Sequence, residues 1–191
     1  MSDAEKLRQL LVERSVKRGQ FTLASGKSST IYIDARLTTM SPDGMVLIGL
    51  LGLERIRTAG WQPDSIGGLT LGADPVAYAI SHASASAPKP LRAFTIRKEA
   101  KAHGTGKQIE GPFRSGDRVV IIEDVITTGK SALQAIDAVV AVGGQISGVL
   151  AVVDRESEGC EAIRSHGYDV TALVTISDLL SSSSQNDYGV S

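Results

Sequence analysis

The chain has 191 residues, 42% of them apolar, which suits one ordinary domain with a real core. Its 20 basic and 21 acidic residues leave a net charge of −1, so nothing in the composition points to nucleic acid, and no run of about 18 apolar residues offers a membrane span. The lone Cys160 excludes an internal disulfide, no CxxC or His-x-x-His spacing offers a zinc site, and Met1–Lys6 lacks the basic and apolar parts of a signal peptide; a soluble cytoplasmic protein is the expectation.

In chain order, Leu7, Leu10, Leu11 and Val16 place an amphipathic helix over 3–18, ended by Gly19. Turn chemistry at Ser25–Ser29 precedes a short strand, Ile31–Ile33. Ser41-Pro42-Asp43 starts a helix that runs to Ala59 and stops at Gly60. Ser65–Thr70 reads as a buried strand, followed by a glycine turn and a helix from Pro75 to Ser84. Leu91–Ile96 is the next strand. Residues 97–116 have no apolar periodicity, and a stretch that long inside a compact domain is functional or disordered. Val119–Ile122 is a β-branched run, the mark of a strand buried on both faces. A helix over 130–142 closes at Gly143-Gly144. Strand Ser147–Val153, helix Glu161–His166 and strand Val170–Thr175 complete the pattern. The alternation predicts a mostly parallel α/β sheet in one domain, 1–180, with a low-complexity, disordered tail over 181–191.

The chemistry gathers after Val119–Ile122. Glu123 and Asp124 stand at the carboxyl end of that strand, where open α/β sheets bind ligands. Thr127-Thr128-Gly129-Lys130-Ser131 then turns into a helix, offering backbone N–H groups, hydroxyls and a positive helix end to a monophosphate. Two adjacent carboxylates beside it can accept bonds from a vicinal diol. Together the two pockets describe ribose 5-phosphate; the plainer alternative is that the acids only cap the turn. Gly129-Lys130-Ser131 is not a P-loop, because Asp124 occupies the place of its first glycine, and no GxGxxG follows a strand.

Val119–Ser131 resembles the 5-phosphoribosyl-1-pyrophosphate signature of the type I phosphoribosyltransferases: four apolar residues, two acids, two more residues, then Thr-Thr-Gly. The resemblance implies a parallel sheet flanked by helices with a small N-terminal hood. It also implies that Glu123 and Asp124 hold the ribose hydroxyls and that Val125, Ile126 and Thr127–Ser131 complete the donor site.

Arg97-Lys98-Glu99-Ala100-Lys101-Ala102-His103-Gly104 concentrates three cations and a histidine in an otherwise neutral chain. A solvated loop is the ordinary reading of a charge run. A mobile cationic loop also suits a reaction whose leaving group is pyrophosphate. This stretch is similar to the catalytic loop of the orotate phosphoribosyltransferase family, which implies diphosphate contacts from Arg97, Lys98, Lys101 and His103. It further implies catalytic work by Arg97, Lys101, His103 and Asp124, and a homodimer whose active sites are shared across two chains. His82 and His166 match nothing in that pattern.

The same resemblance assigns Arg155 and Thr127 to orotate, since an arginine grips a carboxylate with two bonds. A salt bridge from Arg155 to Asp154 or Glu156 is the alternative. Residues 21–29 and 32–36 resemble the hood, with one departure: where some members carry a base-contacting lysine, this chain has Ala24, and Lys27 is the expected substitute. Gly67–Pro75 resembles the pyrophosphate loop without its lysine, so that contact falls to backbone N–H groups. The implied reaction joins orotate to the phosphoribosyl donor with magnesium, giving orotidine 5′-monophosphate and pyrophosphate in de novo pyrimidine synthesis. Two other readings remain: a phosphoribosyltransferase for another base, which leaves Arg155 and the 97–104 loop without a role, and a non-catalytic regulator, which calls for a basic surface the chain lacks.

Overall fold

The computed structural model describes residues 1–22, 28–99 and 108–183. Lys27, Lys101 and His103, together with Ala24 and residues 184–191 of the expected tail, lie outside them.

The chain opens with helix α1 (Asp3–Arg14), started by a capping box in which Ser2 Oγ accepts from the Glu5 N–H and Glu5 Oε2 accepts from the Ser2 N–H. The helix ends four residues earlier than its apolar spacing predicts. Val16 belongs instead to strand β1 (Val16–Thr22), which pairs antiparallel with β2 (Ser28–Ile33). Gly19 does not stop the helix; it sits where the β1–β2 register shifts, between Arg18 and Phe21. This ribbon is the hood.

A single turn, α2 (Arg36–Thr39), which the sequence pattern does not reveal, leads to α3 (Pro42–Thr58), capped by Ser41 with Pro42 at its first position. Strand β3 (Ser65–Leu69), helix α4 (Ala73–Ala83) and strand β4 (Arg92–Ile96) follow. The 97–116 stretch is not wholly irregular. Ile109–Glu110 form a two-residue strand, β5, antiparallel to β4. Beyond it come β6 (Arg118–Ile126), α5 (Lys130–Ala141), β7 (Gln145–Asp154), α6 (Glu158–Ser165), β8 (Val170–Thr175) and α7 (Ile176–Ser183). The tail is expected to start at Ser181, yet α7 continues to Ser183.

Among the described residues the main sheet has the order β5-β4-β3-β6-β7-β8, parallel except for β5. Alternation along β6 feeds two cores. Val120 and Ile122 face α1, α3, α4 and α7, while Val119 and Ile121 face α5 and α6. Burying each such side chain contributes about 1.5–3 kcal/mol, which is why this run is apolar on both faces. The chain moves outward from β3 to β5 and returns on the other side of β3 as β6. The strand order therefore reverses between β3 and β6, and a crevice opens beyond their carboxyl ends.

Candidate active site

A cleft of about 460 Å³ occupies that crevice. The turn Thr70–Gly72 after β3 forms one wall and Tyr32–Arg36 of the hood another. Glu123, Asp124 and Val125 also line it, together with Thr127, Thr128, Ser131, Lys98 and Arg155. Strand β6 reaches further than its apolar run predicts. Its pairing with β3 stops at Ile121, but its ladder with β7 continues to Ile126. The two acids are thus held on a rigid strand that has already lost its neighbour on the cleft side.

Glu123 is 8% exposed, and its Oε1 has no hydrogen-bond partner. Burial, and then the adjacent Asp124 charge, push its carboxyl up to about 8. Burial also raises Asp124, opposed by the Val125 N–H on its Oδ1 at 2.8 Å and by the positive Arg36. Arg36 in turn holds Asp34 with Nε–Oδ1 at 2.8 Å, which lowers the Asp34 carboxyl. A Cβ on Gly72 would stand 2.6 Å from the Asp124 carboxylate, so only glycine lets the turn approach that closely.

Beyond the acids a smaller pocket of about 90 Å³ is lined by Ile126–Ala132. Gly129 takes the left-handed conformation, φ 76°, and aims the first turn of α5. No side chain caps that helix start. Its N–H groups, with the Thr127, Thr128 and Ser131 hydroxyls beside them, make an anion cradle.

No family model matches the chain. The orotate phosphoribosyltransferase of Aquifex aeolicus (strain VF5) is 45% identical over 183 residues, covering 94% of this chain and 99% of that protein. The chain belongs to the orotate phosphoribosyltransferase family. Solved structures agree with that family placement. The Mycobacterium tuberculosis H37Rv orotate phosphoribosyltransferase in complex with Fe(III) dicitrate superposes with a TM-score of 0.82 at 43% identity, covering 93% of this chain and 99% of that one. The same enzyme in complex with 5-phospho-alpha-D-ribosyl 1-diphosphate gives 0.78 at 40% identity, again over 93% and 99%. The fold expected from the sequence is the fold found. The family activity is transfer of the phosphoribosyl group to orotate, giving orotidine 5′-monophosphate and pyrophosphate.

Within this orotate phosphoribosyltransferase fold, Glu123–Val125, Thr127, Thr128, Ser131, Lys98 and Arg155 gather around one cleft. Ile126, Gly129 and Lys130 line only the cradle. Arg97 does not line the cleft of its own chain; its Nε meets Glu110 Oε1 at 3.1 Å. Arg155 pairs with neither Asp154 nor Glu156. Its Nη2 donates to Ser29 Oγ and to the Ile31 carbonyl, both at 3.3 Å, which ties the end of β7 to the hood. Asp34 and Arg36 belong to the segment that resembles the hood but carry no expected contact, although both line the cleft. Their signal is a charged pair two residues apart just past a strand, a spacing common on any surface. His166 is exposed and bonds the Ala162 carbonyl through Nδ1, as a histidine outside the site would.

Proposed function

We propose that one cleft binds both substrates, with Glu123 and Asp124 on the ribose hydroxyls and Thr127–Ser131 around the 5-phosphate of the donor. One observation carries the reading: a buried carboxylate oxygen, Glu123 Oε1, is left without a protein partner beside an uncapped helix start. Native proteins rarely leave such an atom unsatisfied unless a ligand completes it. Arg155, bracing the hood over the cleft, takes the carboxylate of orotate, with Thr127 and Lys27 as further base contacts. The backbone N–H groups of Leu71 and Gly72 receive the diphosphate.

Lys98 reaches its own cleft, whereas Arg97 is turned toward Glu110. Lys98 therefore serves its own chain, and Arg97, on exchanging Glu110 for a diphosphate, serves a neighbour's site with Lys101 and His103. A homodimer with shared sites fits the exposed large side chains on and beside α2, α3 and α4: Leu37, Met40, Val46, Leu50 and Tyr78. Mixing a Lys101→Ala chain with an Asp124→Ala chain then restores activity, and no recovery in the mixture counts against sharing.

Magnesium, when bound, neutralises diphosphate charge and orders the ribose hydroxyls. The hard carboxylate oxygens of Glu123 and Asp124 fit a cation held through substrate and water. Among the described residues no group of three or more His, Cys, Asp or Glu forms a dedicated cage. The chain itself contributes positioning and charge. As the bond from C1 to the diphosphate breaks, negative charge grows on the leaving group beside Lys98 and the turn, and orotate N1 closes on C1 from the Arg155 side while its proton passes to the departing diphosphate. No side-chain nucleophile is needed. Among the described residues no helix is long and apolar enough to cross a membrane. The unpaired Cys160 fits work in the reducing cytoplasm.

The deciding assay follows loss of orotate absorbance with donor and magnesium, run beside uracil, adenine and hypoxanthine. Turnover of orotate alone is the expected result; turnover of a purine, or of none of the four, overturns the reading.

A further inference from the structure

The turn Thr70–Gly72 lines the cleft with no cation of its own, and the residues that follow it, Ala73 and Asp74, add none. An anion can meet this turn only through backbone N–H groups, so the shape of the turn sets its affinity. A buried carboxylate fixes that shape. Asp74, in the first turn of α4, is 8% exposed. Its Oδ2 accepts from Thr70 Oγ1 at 2.7 Å and its Oδ1 from Thr95 Oγ1 at 2.8 Å. Tyr78 Oη lies 2.7 Å from the same Thr95 hydroxyl.

Counting protons sets the direction of this chain. Each threonine hydroxyl has one hydrogen, and a carboxylate has none to offer. Thr95 gives its hydrogen to Asp74, so Tyr78 donates to Thr95. Two strand ends and a helix start are thereby pinned to one carboxylate: Thr70 after β3, Thr95 in β4 and the head of α4. The Thr70 N–H adds a backbone bond to the Ile96 carbonyl at 2.8 Å. Two residues beyond Ile96, Lys98 enters the cleft. On its other side the turn lies against Asp124 at Gly72. Asp74 thus sets the spacing between the turn, Asp124 and the strand that leads to Lys98.

We propose that Asp74 is a positioning residue for the leaving diphosphate, holding the Thr70–Gly72 turn in its anion-receiving shape through the Thr70 and Thr95 hydroxyls. This rests on the reading that the turn receives the diphosphate. The carboxylate does not touch the substrate; it acts through Thr70. A chain without a lysine on this turn relies on such a brace, because a preorganised set of N–H groups is the only donor left there.

The test uses the full chain and two anions: magnesium pyrophosphate, which needs the turn, and ribose 5-phosphate, which needs only the acids and the 127–131 cradle. Calorimetric titration of Asp74→Ala is expected to show pyrophosphate binding weakened roughly tenfold, with Thr70→Val losing about three- to fivefold. Thr70→Ser, which keeps the hydroxyl, restores binding, and ribose 5-phosphate affinity stays within twofold of wild type throughout. Circular dichroism confirms that each variant is folded, and Thr70→Val stands in if Asp74→Ala is not. Unchanged pyrophosphate binding overturns the proposal, as does equal weakening of both anions, the mark of a general packing loss. Hydrogen exchange of the 71–73 amides in the wild type separates the two layers. Protection by pyrophosphate with no effect of the variants sinks only the role of Asp74. No protection sinks the reading of the turn as well, and this inference with it.

Discussion

The two ends of β6 handle a buried carboxylate in opposite ways. Asp117, just before the strand, is 6% exposed, and Glu123, near its far end, is 8% exposed. Asp117 is fully provided for: Arg92 Nη2 donates at 2.6 Å, and Ser65 Oγ and the Arg114 N–H donate at 3.0 Å each. Glu123 has an oxygen with no partner and a second acid as its neighbour. Burial alone therefore does not mark a functional acid. What distinguishes Glu123 is an oxygen that no protein donor reaches at the wall of the cleft, where a ligand hydroxyl can supply one.

That contrast can be broken by substitution, and the largest effect belongs at the cleft end. Asp124→Ala should lower kcat/KM for the donor by about 10²–10³-fold, the scale of losing a preorganised polar contact to the reacting group. Its melting temperature should hold or rise; steady-state kinetics beside a thermal melt checks both. Asp117→Ala should do the reverse. Leaving Arg92 without its buried partner costs about 3 kcal/mol, read as a drop in denaturant midpoint, while kcat/KM of the folded fraction stays near wild type. If Asp117→Ala reduced turnover as much as Asp124→Ala, the two ends would not be distinct.

A pH series sharpens the comparison. The Glu123 carboxyl is raised in the folded chain from 4.5 to about 8. The folded state then binds a proton that the unfolded chain has released, so its stabilising contribution is complete below 4.5 and is lost as the pH rises toward 8. The ligand-free protein should melt at lower temperature across that window, and Glu123→Gln should flatten the slope. If the ribose hydroxyls engage the ionised carboxylate, donor binding below pH 8 should also release a proton, seen as a buffer-dependent binding heat. An identical slope in Glu123→Gln would place the titration elsewhere. Smallest of all, Ser65→Ala removes one of three donors to Asp117 and should cost about 1 kcal/mol with no kinetic change.

Much of this was legible in the sequence wherever one physical requirement dominated. The run Val119–Ile122 could only be a strand buried on both sides, and Val170–Thr175 was read to the residue. Tertiary pairing explains the misses. Val16 continues the apolar spacing of α1, but its pairing with Ile33 places it in a strand. Ile109–Glu110 are too few to leave a pattern and exist because β4 offers an edge. At the site, residue types were readable and directions were not. Arg97 and Lys98 look alike as cations, yet one pairs with Glu110 and the other enters the cleft, because the chain leaves β4 at Ile96 and bends at Lys98. The destination of Arg155, the hood rather than Asp154, depends on where β2 arrives from more than a hundred residues away.

The pairing of α1 with α7 sets the order in which this molecule can be finished. Leu7 and Leu11, from the first helix, share a core with Leu179 from the last. A ribosome delivers α7 only after every strand of the main sheet has been made. Until α7 emerges, α1 can bury its leucines only in part, so closure of that core is a late, long-range event with a large loop to close. The strands that carry the acids lie between the two helices in the sequence. The crevice between β3 and β6 can therefore take shape before the shell around it is sealed.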